Sequence, residues 1–271
     1  MIRLAVSGVH GPALQQLSRR LRGAVVEPPG ERDAAIVVDY TADAVASVEM
    51  FLRSGKRVLI LATLCPSLPF VDQLVSYARG DASRIAIVNP LRYLPSRRLI
   101  KGEIDAGKLG TVGLVRIHHR ETDDSVDRSA LLCSHLDLAT WLSGRQPECV
   151  YATTDGNTAY TQVHLGFASG ASALIEVSMP RLAPAPMSYT VRPDYRSLLV
   201  IGSAGAASAD DQMREPEGQL RLAVSAQEFV NDVAAGIGFA STVDQWRQAL
   251  RIGQAVDRSL ATHRAIWLEA G

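Results

Sequence analysis

Cysteine is scarce. Cys65, Cys133 and Cys149 are the only three in 271 residues. An odd, widely spaced set makes neither a disulfide framework nor a metal-ligand spacing, so a reducing cytoplasmic setting is expected. Net charge is missing too: Lys plus Arg and Asp plus Glu stand at 28 each. Nothing electrostatic therefore argues for nucleic acid or an anionic membrane as partner. No apolar run approaches the ~20 residues of a membrane span, and the chain opens on Ile2-Arg3-Leu4-Ala5-Val6, a strand-like run rather than a basic-then-apolar leader. Repeats, low-complexity segments and long linkers are absent as well. What is present is 47% apolar and 21% charged residues, the charges spread without blocks. Such a chain packs a core, and its length is comfortable for two domains.

Short apolar runs alternate with amphipathic stretches over the first ninety residues. Leu4 to Val6, Ala24 to Val26, Ala35 to Val38, Val58 to Leu61 and Ile85 to Val88 read as strands. Helices are expected at Pro12 to Arg22, Ala42 to Ser54 and Phe70 to Ala78. Strands separated by helices argue a parallel, doubly wound sheet, because parallel strands need crossovers. The pattern then changes. Helices are expected at Leu94 to Ala106 and Ser129 to Leu142, and strands at Val112 to His118, Tyr151 to Thr154, Ala159 to Phe167, Ala171 to Val177, Tyr189 to Val191 and Leu198 to Ile201. Hairpin-like turns such as Ala168-Ser169-Gly170 suggest an antiparallel sheet. A helical pair, Ala226 to Ala234 and Thr242 to Leu260, leads into a last strand at Ala265 to Leu268. The expected fold is α/β plus α+β. A shortened Rossmann-like parallel domain over residues 1–90 precedes a domain over 91–271 with an open, mainly antiparallel sheet, its last helix a candidate to pack back on the first domain. Trp141, Trp246 and Trp267 read as core.

Several words in the chain, taken in order, resemble those of the glucose–fructose oxidoreductase and inositol dehydrogenase (Gfo/Idh/MocA) family. They are Gly55-Lys56-Arg57-Val58-Leu59, Arg92-Tyr93-Leu94-Pro95, Ile104 to Gly110, Asp137 to Gly144, Phe167 to Ala171, Leu199 to Gly205 and Ala255 to Leu268. The resemblance implies a two-domain fold, an NAD(P) cofactor, a sugar, polyol or cyclitol substrate bound at the domain junction, and hydride transfer between them. These words are mostly structural, and fold does not fix function. Family members open with G-x-G-x-x-G, whose glycines let a pyrophosphate approach the backbone at a helix N-terminus. Here Gly8 matches, His10 stands in the second glycine's place, and Gly11 follows it. The His10 imidazole would fill space that the pyrophosphate needs, so dinucleotide binding is expected to be weak or absent. Glu27, at the end of the second strand, is the candidate for the ribose hydroxyls. From the first strand to Gly55-Lys56 the chain uses too few residues for a full mononucleotide half, and Ala24 to Glu27 runs almost directly into Asp33 to Val38, as though one helix and one strand were deleted.

The catalytic words are altered as well. After the "GKHVL" strand the family continues with Glu-Lys-Pro, whose lysine assists proton transfer; Leu61, Ala62 and Thr63 hold those places. The family's H-x-x-D puts a base and its partner one turn apart on a helix. Here Asp137 fits its place and Ser134 holds the histidine's. His135 comes one residue late and points about 200° from Asp137 on a regular helix. His135 and Asp137 remain the catalytic candidates. Arg92, Tyr93 and His118 are the candidates for substrate, with His118 and His119 on opposite faces of one strand. Three functions stay open: a dehydrogenase, a non-redox acid–base enzyme on a sugar-like or carbonyl substrate, and a non-catalytic binding protein or partner subunit of an active paralogue. A homo-oligomer is expected through the second sheet, covered by Leu114, Ile117, Val163, Leu165, Leu174 and Val177.

Overall fold

In the computed structural model, residues 1–7, 11–26, 33–38, 42–62, 65, 67–121, 126–155, 159–179, 195–211, 216–237 and 239–269 are described. The chain divides into two compact units: Met1–Tyr93 with Glu215–Leu250, and Leu94–Arg214 with Arg251–Gly271.

The first unit opens with β1 (Ile2–Ser7), α1 (Gly11–Arg20), β2 (Ala24–Val26), β3 (Ala34–Val37), α2 (Ala42–Arg53), β4 (Arg57–Leu61), α3 (Leu68–Tyr77) and β5 (Ile85–Val88). Its five strands are all parallel, in the order β2-β1-β3-β4-β5. Every residue of β3 and β5 is buried. That is why Ala34-Ala35-Ile36-Val37 and Ile85-Ala86-Ile87-Val88 are continuous apolar runs rather than alternating ones. β2 and β3 lie on opposite sides of β1, yet only residues 27–33 connect them, fewer than the dozen or so of an ordinary crossover. The strand order reverses between β1 and β3, where Ser7 pairs with Val37; in a doubly wound sheet ligands bind beside such a switch point, at the carboxyl ends of the strands.

The second unit begins with α4 (Pro95–Asp105), β6 (Val112–Arg120), α5 (Arg128–Ser143), β7 (Pro147–Thr154), β8 (Tyr160–Phe167), β9 (Ser172–Ser178), β10 (Tyr195–Gly202) and β11 (Ala206–Asp211). Then come α6 (Pro216–Ala235), which packs within the first unit, α7 (Ala240–Thr262), and β12 (Ile266–Trp267). The sheet order is β11-β10-β6-β9-β8-β7-β12. Every pairing is antiparallel except β6 with β9. α5 packs on β6 and β9. It is capped by Asp127, whose carboxylate accepts from the Ala130 amide at 2.7 Å, and closed by Gly144 at φ 66, a left-handed position suited to glycine.

Alternation sorts the sheet's two faces. Val115, Ile117 and His119 of β6 are buried, in register with Ala173, Ile175 and Val177 of β9 and with Val163 and Leu165 of β8. Leu114, Arg116, His118, Leu174 and Glu176 take the other face. Of the six residues expected to cover the open face, only Leu114 and Leu174 have that parity; Ile117, Val163, Leu165 and Val177 belong to the buried one. Trp246 is core, 2% exposed, with its indole N–H on the Cys65 carbonyl at 2.9 Å. Trp267 is not: it is 73% exposed, because two residues of edge strand are too short to bury an indole.

Candidate functional site

At the switch point of the first unit, Gly8 and His10 lie outside the described residues, as does Glu27 at the end of β2. Gly11 opens α1. At the carboxyl end of β4, where the family resemblance expects a lysine, Ala62 is wholly buried. Arg92 and Tyr93 sit in a short 3-10 turn, Pro90–Tyr93, directly after β5. Arg92 donates to the Gln245 side chain at 2.7 Å, and Tyr93 packs against a core cluster that includes Leu4, Leu59, Phe229 and Phe239. Both make contacts within the first unit.

In the second unit, α5 is a regular helix at its polar residues, so nothing rotates His135 toward the face of Asp137. His135 is 2% exposed and Asp137 3%, on faces about 200° apart. Ser134, in the place of the family histidine, donates to the Ala130 carbonyl at 2.8 Å. Its hydroxyl thus folds back on its own helix.

His135 turns toward the sheet and meets His119, which was not among the expected site residues. His119 Nδ1 and His135 Nε2 are 2.6 Å apart, with the rings edge to face. On the far side of His119, Nε2 receives Arg196 Nε at 3.1 Å and lies 3.3 Å from Glu121 Oε2. Glu121 Oε2 is in turn 3.8 Å from Arg196 Nη2. All four side chains are buried, with His119 at 0%. Burial holds the His135 imidazole well below its ordinary value, and its electrostatic interactions with His119, Arg196 and Arg97 lower it further. His135 is neutral at physiological pH. The signal for this cluster was present in the alternation of β6: His119 shares the parity of Val115 and Ile117, so it had to lie under the helix.

His118 faces the opposite way and is not brought together with His135. Its neighbour across the strands is Glu176, a carboxylate 9% exposed. Arg116 reaches Glu176 Oε2 through Nη2 at 3.0 Å and Nε at 3.2 Å, while Tyr160 donates its hydroxyl to Oε1 at 2.9 Å. Burial pushes the Glu176 carboxyl up, but the Arg116 and Tyr160 hydrogen bonds outweigh it and hold the group below its usual range. Burial and the same hydrogen bond raise the Tyr160 phenol. Among the described residues no cluster of three or more His, Cys, Asp or Glu could hold a metal ion.

Two of the family-like words meet in space. The turn Gly202 to Gly205 docks on the Leu109-Gly110-Thr111 loop: Ala204 N donates to Leu109 O and Ser203 N to Thr111 O, both at 3.0 Å. A Cβ on Gly202 would run into the Leu109 carbonyl, and Gly110 sits at φ 67 facing Ser203 and Ala204. These glycines are required by a close backbone approach, which makes the words marks of fold rather than of chemistry.

No protein-family model and no curated protein matches the sequence. Solved structures do match. Myo-inositol 2-dehydrogenase from Lactobacillus plantarum is similar at TM-score 0.76 and 17% identity, over 99% of each chain. A myo-inositol dehydrogenase from Corynebacterium glutamicum is similar at 0.78 and 14%, over 100% of each. A scyllo-inositol dehydrogenase from Lactobacillus casei, solved with NAD(H) and scyllo-inositol, is similar at 0.76 and 13%, over 98% of this chain and 99% of that one. The chain has the fold of these dehydrogenases.

Proposed function

We propose that this chain is a binding protein built on the inositol dehydrogenase fold, which takes a sugar, polyol or cyclitol without transferring hydride. The observation that carries the reading is Ala62. At the end of β4 it is buried and bears only a methyl group, where the family resemblance calls for a lysine to relay a proton. The helix that would supply the base supports the same reading. Ser134 is hydrogen-bonded to its own helix, and His135 is buried against His119 with no free route to a reacting proton. Asp137, also buried, faces elsewhere on α5.

A nicotinamide dinucleotide does not fit this residue set well. The switch point between β1 and β3 and the start of α1 at Gly11 suit a pyrophosphate. In the sequence His10 stands where the family has the glycine that lets the pyrophosphate in. The open face of the second sheet, with Leu114, Leu174, the 42% exposed Tyr151 and the 40% exposed Ile201, supports a homo-oligomer. Calorimetric titration with NAD(H), NADP(H) and myo-inositol tests the reading, followed by a turnover assay with each pair. Heat from the polyol with no nicotinamide reduction is the expected result. Oxidation of any polyol at the expense of NAD(P) would overturn it.

A further inference from the structure

The buried pair of histidines carries more information than its burial. A guanidinium has only donors and stays charged. Arg196 Nε, 3.1 Å from His119 Nε2, therefore makes that nitrogen an acceptor. The Glu121 carboxylate also lies near it, at 3.3 Å, and would favour a proton there. The guanidinium is nearer and its N–H is the one aimed at the ring. A neutral imidazole has a single N–H, so the His119 proton sits on Nδ1 and is donated to His135 Nε2 at 2.6 Å. His135 Nε2 is then an acceptor in its turn, and the His135 proton is on Nδ1. That Nδ1 is buried and has no hydrogen-bond partner among the described residues. Buried donors are nearly always paired. A chain of hydrogen bonds running Arg196 to His119 to His135 thus ends in an unclaimed N–H.

We propose that Arg196 is a positioning residue: acting through His119, it fixes His135 as the neutral Nδ1–H tautomer, a donor reserved for an oxygen atom of a bound ligand or of an internal water. Among the described residues, groups facing the pair include Arg196 on β10, Glu121 just past β6 and Arg97 on α4. The only lone pair of His135 is occupied by His119, so this imidazole cannot accept a proton as a general base; it can only hold an acceptor. The tautomer assignment stands on the geometry alone, and only the ligand branch rests on the binding function proposed above.

Long-range proton–nitrogen correlation spectra of the isotope-labelled full chain at neutral pH read both tautomers directly. His119 and His135 are each expected with Nδ1 protonated and Nε2 bare. Titration with myo-inositol separates the two oxygen sources. A shift confined to the His135 Nδ1–H marks a ligand oxygen, whereas no shift with cross-relaxation to water marks an internal water; both support the donor role. Complete failure of myo-inositol to bind would count against the binding function while leaving the tautomers to be judged separately. Arg196→Met should release His119 Nε2 to bond Glu121 and reverse both tautomers together, whereas Glu121→Gln should leave them unchanged. A proton on Nε2 of either ring in the unaltered protein, a cationic His135, or unchanged tautomers in R196M would overturn the proposal. Should R196M fail to fold, the spectra of the unaltered chain and of E121Q decide it.

Discussion

Acidification should weaken this protein through His135 before it reaches the carboxylates. In the unfolded chain the imidazole titrates near 6.5, while in the fold burial and the neighbouring positive groups hold it well below that value. Between those limits the unfolded state binds one more proton than the folded one. The stability tied to this group is therefore complete above pH 6.5 and falls as pH drops below it, by about 1.4 kcal/mol per unit. Going from about pH 7.5 to about pH 5.5 integrates to a loss of about 1.4 kcal/mol, or roughly 3–5 °C in Tm for a chain of this size. His135→Leu removes the titration but leaves the His119 Nδ1–H without its acceptor, which costs about 1–3 kcal/mol. The variant should be less stable at neutral pH and lose less on acidification. Thermal unfolding by circular dichroism across that range, on both proteins, gives the two slopes. Parallel curves would refute the reasoning, because the His135 contribution would then be absent.

Two further changes probe the packing within each unit. Arg84 donates to the carbonyls of Leu52 at 3.0 Å and of Ala78, joining the carboxyl ends of α2 and α3 with one guanidinium. Arg84→Met should cost about 2–4 kcal/mol in urea unfolding, and a loss under about 1 kcal/mol would show that water replaces it freely. Gly202→Ala places a methyl on the Leu109 carbonyl and should cost about 1–3 kcal/mol, measured the same way; a neutral result would mean the turn can shift.

The parallel sheet could be read from the sequence because both faces of β3 and β5 are covered, which writes them as unbroken apolar runs. β11 could not. Ala206-Ala207-Ser208-Ala209-Asp210-Asp211 is a strand only because it lies at the edge and pairs with β10; its small and acidic residues carry no alternation. α6 begins at Pro216, ten residues before its expected start at Ala226, since proline is suited to a first turn. At the candidate site, the helix words point to His135 but not to His119, which it contacts. The 2.6 Å contact joins residues 16 apart in sequence through two different elements, and helical spacing describes only one of them. The parity of β6 held the missing half. His118 lies on the other face, in register with Glu176.

The core of the first unit joins segments far apart in the chain. Leu4, Leu17 and Leu21 pack in one cluster with Ala226, Phe229, Val230 and Phe239, and the Arg22 amide donates to the Gln227 side chain 205 residues away. During synthesis, β1 to β5 leave the ribosome long before α6 exists to cover them. The strands β6 to β11 emerge as one contiguous run in the meantime. The earlier-translated strands are therefore completed late, after a later segment of the chain has been made. Throughout that interval the nascent parallel sheet holds bare apolar surface, which is aggregation-prone. A chain that terminates before residue 216 never covers it.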